Sequence, residues 1–107
     1  MNVADLAEEL GLEEEEVRGL ILTFLESTEK DLLLLGRAFS EGNTEELGSV
    51  AHNIKGAAGN LELNQIAETA RAIENKARSG ILEDPASQIQ RIRDRLEPIR
   101  TQVSPRE

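Results

Sequence analysis

Cysteine is absent from this chain, and so are tryptophan and tyrosine. No disulfide and no thiolate chemistry can be built from it. Two phenylalanines are the only aromatic residues, so its core is almost wholly aliphatic. Such a core suits helices, because strands favour β-branched and aromatic side chains. Proline occurs three times, which leaves long stretches uninterrupted. Positive charge is also scarce. Twelve Lys and Arg face 21 Asp and Glu, for a net charge of −9. Nucleic acids and anionic membranes both call for a basic face, so neither is expected as a partner. No apolar run reaches about 18 residues, so no transmembrane span is expected. The start, "MNVADLAEEL", lacks the basic and apolar regions of a secretory signal. A cytoplasmic location is therefore the expectation.

What is present is rich in Leu, Ala, Glu, Arg and Gln, all good helix formers. The 107 residues suit one domain, 1–107, around one core. Five helices are expected. The first, 3–10, places Val3, Leu6, Ala7 and Leu10 on one face and stops at Gly11. The second, 13–40, opens on "EEEE", where negative charge meets the positive end of the helix dipole. Its apolar stripe reads Val17, Leu20, Ile21, Phe24, Leu25, Leu32, Leu35 and Phe39. The break "EGN" follows, and Asn43 with Glu46 resembles a capping box. The third helix, 44–60, carries Leu47, Val50, Ala51, Ile54 and Ala58 towards the core. The fourth, 64–78, carries Ile66, Ala70, Ile73 and Ala77, and Ser79–Gly80 ends it. The fifth, 85–102, carries Ile89, Ile92, Leu96, Ile99 and Val103 at the 3, 4, 3, 4 spacing of a bundle seam. Pro98 should kink it or make its last turn irregular. The tail "SPRE" should fray. One short helix and four longer ones with short connections give an antiparallel up-and-down four-helix bundle with an extra N-terminal helix.

One stretch does not fit plain packing. "AHNIKGAAGN", Ala51 to Asn60, holds the only histidine of the chain. At about 100° per residue, the five core positions of the third helix fall within about 80° of one another. His52 falls on roughly the opposite side, with Gly48, Gly56 and Gly59 near it and Lys55 between that side and the core. Glycine costs a helix roughly 1 kcal/mol relative to alanine. Three of them cost about 3 kcal/mol, a large part of a domain stability of about 5–15 kcal/mol. Core packing offers no return for that cost. Bare backbone beside His52 would expose the imidazole and let a large surface approach, with the Lys55 charge one turn away.

The run His52-Asn53-Ile54-Lys55-Gly56, followed by Ala57-Ala58-Gly59-Asn60-Leu61, resembles the H-x-x-K-G signature of the histidine-containing phosphotransfer (HPt) domain. The resemblance extends through "FLE" at Phe24–Glu26, the "EGN" break and "IAETARAIENKA" at Ile66–Ala77. One departure is Glu62, where many members have a small residue; it bears on the turn after the motif helix. The resemblance implies a phosphoryl carrier of a multistep two-component phosphorelay. His52 would accept a phosphoryl group from an aspartyl phosphate on a receiver domain and pass it to another receiver. Response-regulator receivers are the implied partners, together with a hybrid sensor histidine kinase. Imidazole near neutral pH is a competent nucleophile, and phosphoryl transfer needs positioning and charge compensation above all. Lys55 would supply part of that charge. Residues 72–74 lie level with His52 across the turn near 62. The family often has Glu or Gln there, bonded to the ring's Nδ1–H, which assigns that role to Glu74 and leaves Nε2 exposed. No metal or cofactor of its own is expected; Mg²⁺ would sit on the partner receiver.

Three other readings have less behind them. "GAAG" at Gly56–Gly59 matches the G-x-x-G loop of KH domains, but strands and a basic surface are missing. An independent enzyme would have one histidine, no cysteine and no G-x-x-x-x-G-K loop to work with; without an ATP site the chain is a carrier and not a kinase. A non-catalytic helical interaction bundle has no need of His, Lys and Gly at these spacings. Met1 and the compact length favour a stand-alone protein, and a monomer is the expected state.

Overall fold

The computed structural model describes residues 2–103. Five helices run in chain order: α1 (Val3–Leu10), α2 (Glu14–Ser40), α3 (Thr44–Asn60), α4 (Asn64–Arg78) and α5 (Ala86–Val103). No strand occurs among the described residues. The expected boundaries hold to within a residue. The tail "SPRE" lies outside the described residues.

Local chemistry accounts for where the helices begin and end. Asn2 Oδ1 accepts from the Asp5 N–H at 3.2 Å and Asn43 Oδ1 from the Glu46 N–H at 3.0 Å, which caps α1 and α3. At α2, Glu13 is the cap and Glu16 reaches back to its N–H at 3.0 Å, a reciprocal capping box. The four helices α1 to α4 end the same way. In each, an N–H bonds to the carbonyl five residues back: Leu12 to Ala7, Asn43 to Ala38, Leu63 to Ala58 and Ile81 to Lys76. This Schellman closure puts the preceding residue in the left-handed region. Gly11, Gly42 and Gly80 take it at φ of 69°, 68° and 79°. The fourth closure, between α3 and α4, uses Glu62 at φ 59°, where a side chain is strained. That is the physical content of the departure at Glu62. Its carboxylate also meets Glu9 of α1. The contact and the repulsion raise the Glu9 pKa above the ordinary value.

Each of α2 to α5 packs on its sequence neighbour, and α5 closes the ring against α2; α1 packs on α2. The core is aliphatic, with Ile21, Leu32, Leu35, Leu47, Ile54, Ile66, Ile92 and Leu96 among its fully buried side chains. Each such side chain contributes about 1.5–3 kcal/mol. The expected stripes of α3, α4 and α5 are all buried. In α2 the stripe shifts: Leu20 is 45% exposed, Phe39 is only partly buried, and Thr28 and Ala38 take core positions. Helix α5 continues past Pro98 to Val103. The α2–α5 seam is tied by Glu29, whose carboxylate receives Arg100 Nη2 at 2.7 Å. No helix among the described residues is long and apolar enough to cross a membrane.

Candidate functional site

Helices α3 and α4 are joined by the three-residue turn Leu61–Leu63, so residues equidistant from it come level. This brings His52, midway along α3, opposite Glu74 of α4. Glu74 belongs to the buried side of its helix, with Ile66, Thr69, Ala70, Ile73 and Ala77. A carboxylate is costly in such a place unless it is paired and hydrogen-bonded. Glu74 is both. Its Oε2 lies 2.9 Å from His52 Nδ1 and 3.0 Å from Arg78 Nε. Its Oε1 lies 2.7 Å from Lys55 Nζ in an ion pair. Only 7% of the Glu74 side chain is exposed, against 56% for His52, 34% for Lys55 and 53% for Arg78.

These contacts determine a protonation state. The Lys55 ammonium does most to lower the Glu74 pKa, burial opposes it, and the Arg78 and His52 donors add to it; the result is a fall from 4.5 to about 2. Glu74 is therefore ionised at neutral pH and can only accept hydrogen bonds. The ring nitrogen facing it must donate, so the proton of the neutral imidazole sits on Nδ1. The lone pair is then on Nε2, in a side chain that is more than half exposed. Two cations share one anion here, which leaves a local charge of about +1 next to a nucleophilic nitrogen, at a surface that is otherwise strongly acidic.

The glycines divide. A Cβ added at Gly56 or Gly59 would meet nothing within 4 Å, and both residues are exposed. They leave bare backbone one and two turns beyond His52. Gly48 does not belong with them. It is buried, and its added Cβ would stand 3.5 Å from Ala77 Cβ, 3.5 Å from Arg78 Cγ and 3.9 Å from Arg78 Nη1. The expectation that Gly48 opens the histidine face is corrected: it faces α4, because the α3–α4 contact wraps further round the helix than the apolar stripe suggests.

Arg78 was not among the residues singled out in the sequence. The available signal was its place four residues after Glu74, the spacing of a helical ion pair. A signal for Glu74 itself was an acidic residue inside the apolar pattern 66, 69, 70, 73, 77. No group of three or more His, Cys, Asp or Glu side chains among the described residues is placed to hold a metal ion. A cleft of about 680 Å³ between the start of α4 and α5, lined by Leu63, Gln65, Arg91, Arg95 and Pro98 among others, shares no residue with the His52 cluster. The candidate site is thus a surface and not a pocket.

Comparison with known proteins agrees with the reading of the motif. The family model of the Hpt domain matches residues 19–102. Among solved structures, the chain is similar to histidine-containing phosphotransfer protein B (HptB) from Pseudomonas aeruginosa PAO1. The two share 27% identity with a TM-score of 0.79, over 94% of this chain and 85% of that one. A search of the curated proteins finds no significant match.

Proposed function

Because the chain belongs to the Hpt domain family, and so is a histidine phosphotransfer protein of a phosphorelay, we propose that His52 is its phosphorylated residue and Nε2 the accepting atom. The observation that carries this is the 2.9 Å contact between Nδ1 and the buried, ionised Glu74. It holds the proton on one nitrogen and leaves a lone pair on the other, at the solvent side.

The transfer balances simply. The Nε2 lone pair forms a bond to phosphorus. The bond from phosphorus to the receiver's aspartyl oxygen breaks, and its electron pair stays on that carboxylate. The Nδ1 proton does not move, so the ring becomes cationic while its N–H still donates to Glu74. Return of the N–P electron pair to Nε2 discharges the ring and delivers the phosphoryl group to an aspartate of the next receiver. Lys55 compensates the incoming charge. In this reading Mg²⁺ sits on the partner receiver. The chain acts as a carrier that a phosphorylated receiver charges, and we place it in the cytoplasm as a monomer.

The docking surface in this reading is the exposed side of α3 with the neighbouring parts of the first two helices. Gly56 and Gly59 keep it low. Leu20 and Leu34 of α2 are 45% and 43% exposed; at about 100° per residue they fall roughly opposite Glu29, the residue that meets α5, and we count them as apolar area of this surface. The test is uptake of phosphate from Mg²⁺-loaded, phosphorylated receiver domains by the wild type and His52→Gln. Acid-labile, base-stable label on the wild type and none on the variant is expected. No label on a folded wild type from any receiver would overturn the proposal.

A further inference from the structure

Gly48 and Arg78 are left over from the account above. Neither lies on the bare face beside His52, yet they meet each other, and one of them touches Glu74. Gly48 stands one turn before His52 on α3. Beyond the Cβ position that glycine leaves empty lie Ala77 Cβ at 3.5 Å and the Arg78 side chain, which arrives from α4 with Cγ 3.5 Å and Nη1 3.9 Å away. From that seat Arg78 Nε donates to Glu74 Oε2 at 3.0 Å. The same oxygen accepts the His52 Nδ1–H at 2.9 Å. The other carboxylate oxygen pairs with Lys55 Nζ at 2.7 Å. Arg78 is thus the donor, apart from His52 itself, that meets Oε2.

We propose that Gly48 and Arg78 form a positioning pair for His52: the small residue at 48 leaves room for the Arg78 side chain, and the seated Arg78 holds the Glu74 carboxylate that orients the imidazole. A plain packing role for Gly48 makes a different prediction, because the space is graded. An alanine Cβ at 48 would sit at ordinary contact distance from Ala77 and Arg78. A leucine would extend into the volume that Arg78 occupies. Gly48→Ala should therefore leave the site intact, and Gly48→Leu should unseat Arg78 while the residues His52, Lys55 and Glu74 themselves stay unchanged.

Two readouts test this, and the first is independent of phosphotransfer. In ¹⁵N-labelled protein near neutral pH, the wild type and Gly48→Ala should show a slowly exchanging His52 Nδ1–H resonance, which Gly48→Leu and Arg78→Gln should both lose. The second readout rests on the reading of His52 as the phosphorylated residue. Transfer from a phosphorylated receiver should slow by about tenfold to a hundredfold in Gly48→Leu and in Arg78→Gln. The double variant should be no slower than the slower single, since both act through one side chain. Effects that multiply would show that Gly48 acts on its own and would overturn the pairing. An unchanged Nδ1–H signal in Arg78→Gln would also overturn it, and this arm stands even if Gly48→Leu does not fold. A wild type with the Nδ1–H signal but no phosphate uptake would fault the reading of His52 and leave the positioning pair standing.

Discussion

Replacing Glu74 by Gln keeps the shape of the site and removes its only anion, so it isolates one charge. In the folded protein the Glu74 carboxyl titrates at about 2, against 4.5 for the ordinary group. A gap of that size corresponds to at most about 3 kcal/mol, at 1.36 kcal/mol per pH unit. Water screens part of this, because His52 and Arg78 are more than half exposed; about 1–2 kcal/mol remains. The sign follows from the direction of the shift. The unfolded chain takes up this proton near pH 4.5 and the folded chain resists until about 2. The stabilisation is therefore complete above the unfolded value and is lost as pH falls from 4.5 towards 2. Gln at 74 has no such titration. Urea denaturation followed by circular dichroism, at steps from pH 7 to pH 2.5, gives both stabilities by linear extrapolation. The wild type should exceed Glu74→Gln by about 1–2 kcal/mol at pH 7, and the difference should shrink steadily below pH 4.5. The other carboxylates cancel in the difference. A gap that stays constant down to pH 2.5 would refute the claim that Glu74 is held ionised by His52, Lys55 and Arg78.

Three further substitutions probe other parts of the argument. A Cβ added at Gly56 would meet nothing within 4 Å, so Gly56→Leu should gain up to about 1 kcal/mol of helix stability, yet it should block phosphotransfer; an unchanged rate would sink the steric account. Lys55→Ala should slow transfer by about tenfold without abolishing it, because it supplies charge and not the bond; complete loss in a well-folded variant would show that its role is misassigned. Glu62→Gly should raise stability by about 1 kcal/mol in thermal or urea unfolding, because glycine takes φ 59° without strain; a loss of stability would show that the Glu62 side chain does more than occupy the turn.

Much of this molecule was settled along the chain itself. Asn43, the "EEEE" run, Gly11 and Gly80 mark helix ends because capping and left-handed closure depend on residues within one turn of each other. The stripes of α3, α4 and α5 were readable because each of these helices buries one continuous face. His52 with Lys55 and Gly56 was readable because residues three and four apart share a helix face whatever packs nearby. The tertiary structure decided the rest. In α2 periodicity picked Leu32 and Leu35 out of their leucine run, but Leu20 turns outward, Phe39 is only partly buried, and Thr28 and Ala38 take core positions. Periodicity cannot fix the edges of the stripe when a helix touches three neighbours. Gly48 looked exposed from the apolar stripe alone, but α4 reaches round α3 and covers it. Glu74 could be placed level with His52 by counting from the turn, yet its burial and its bond to Arg78 depend on how closely α3 and α4 approach. That distance is a property of two helices together. It is also what turns an exposed histidine into one with a defined tautomer.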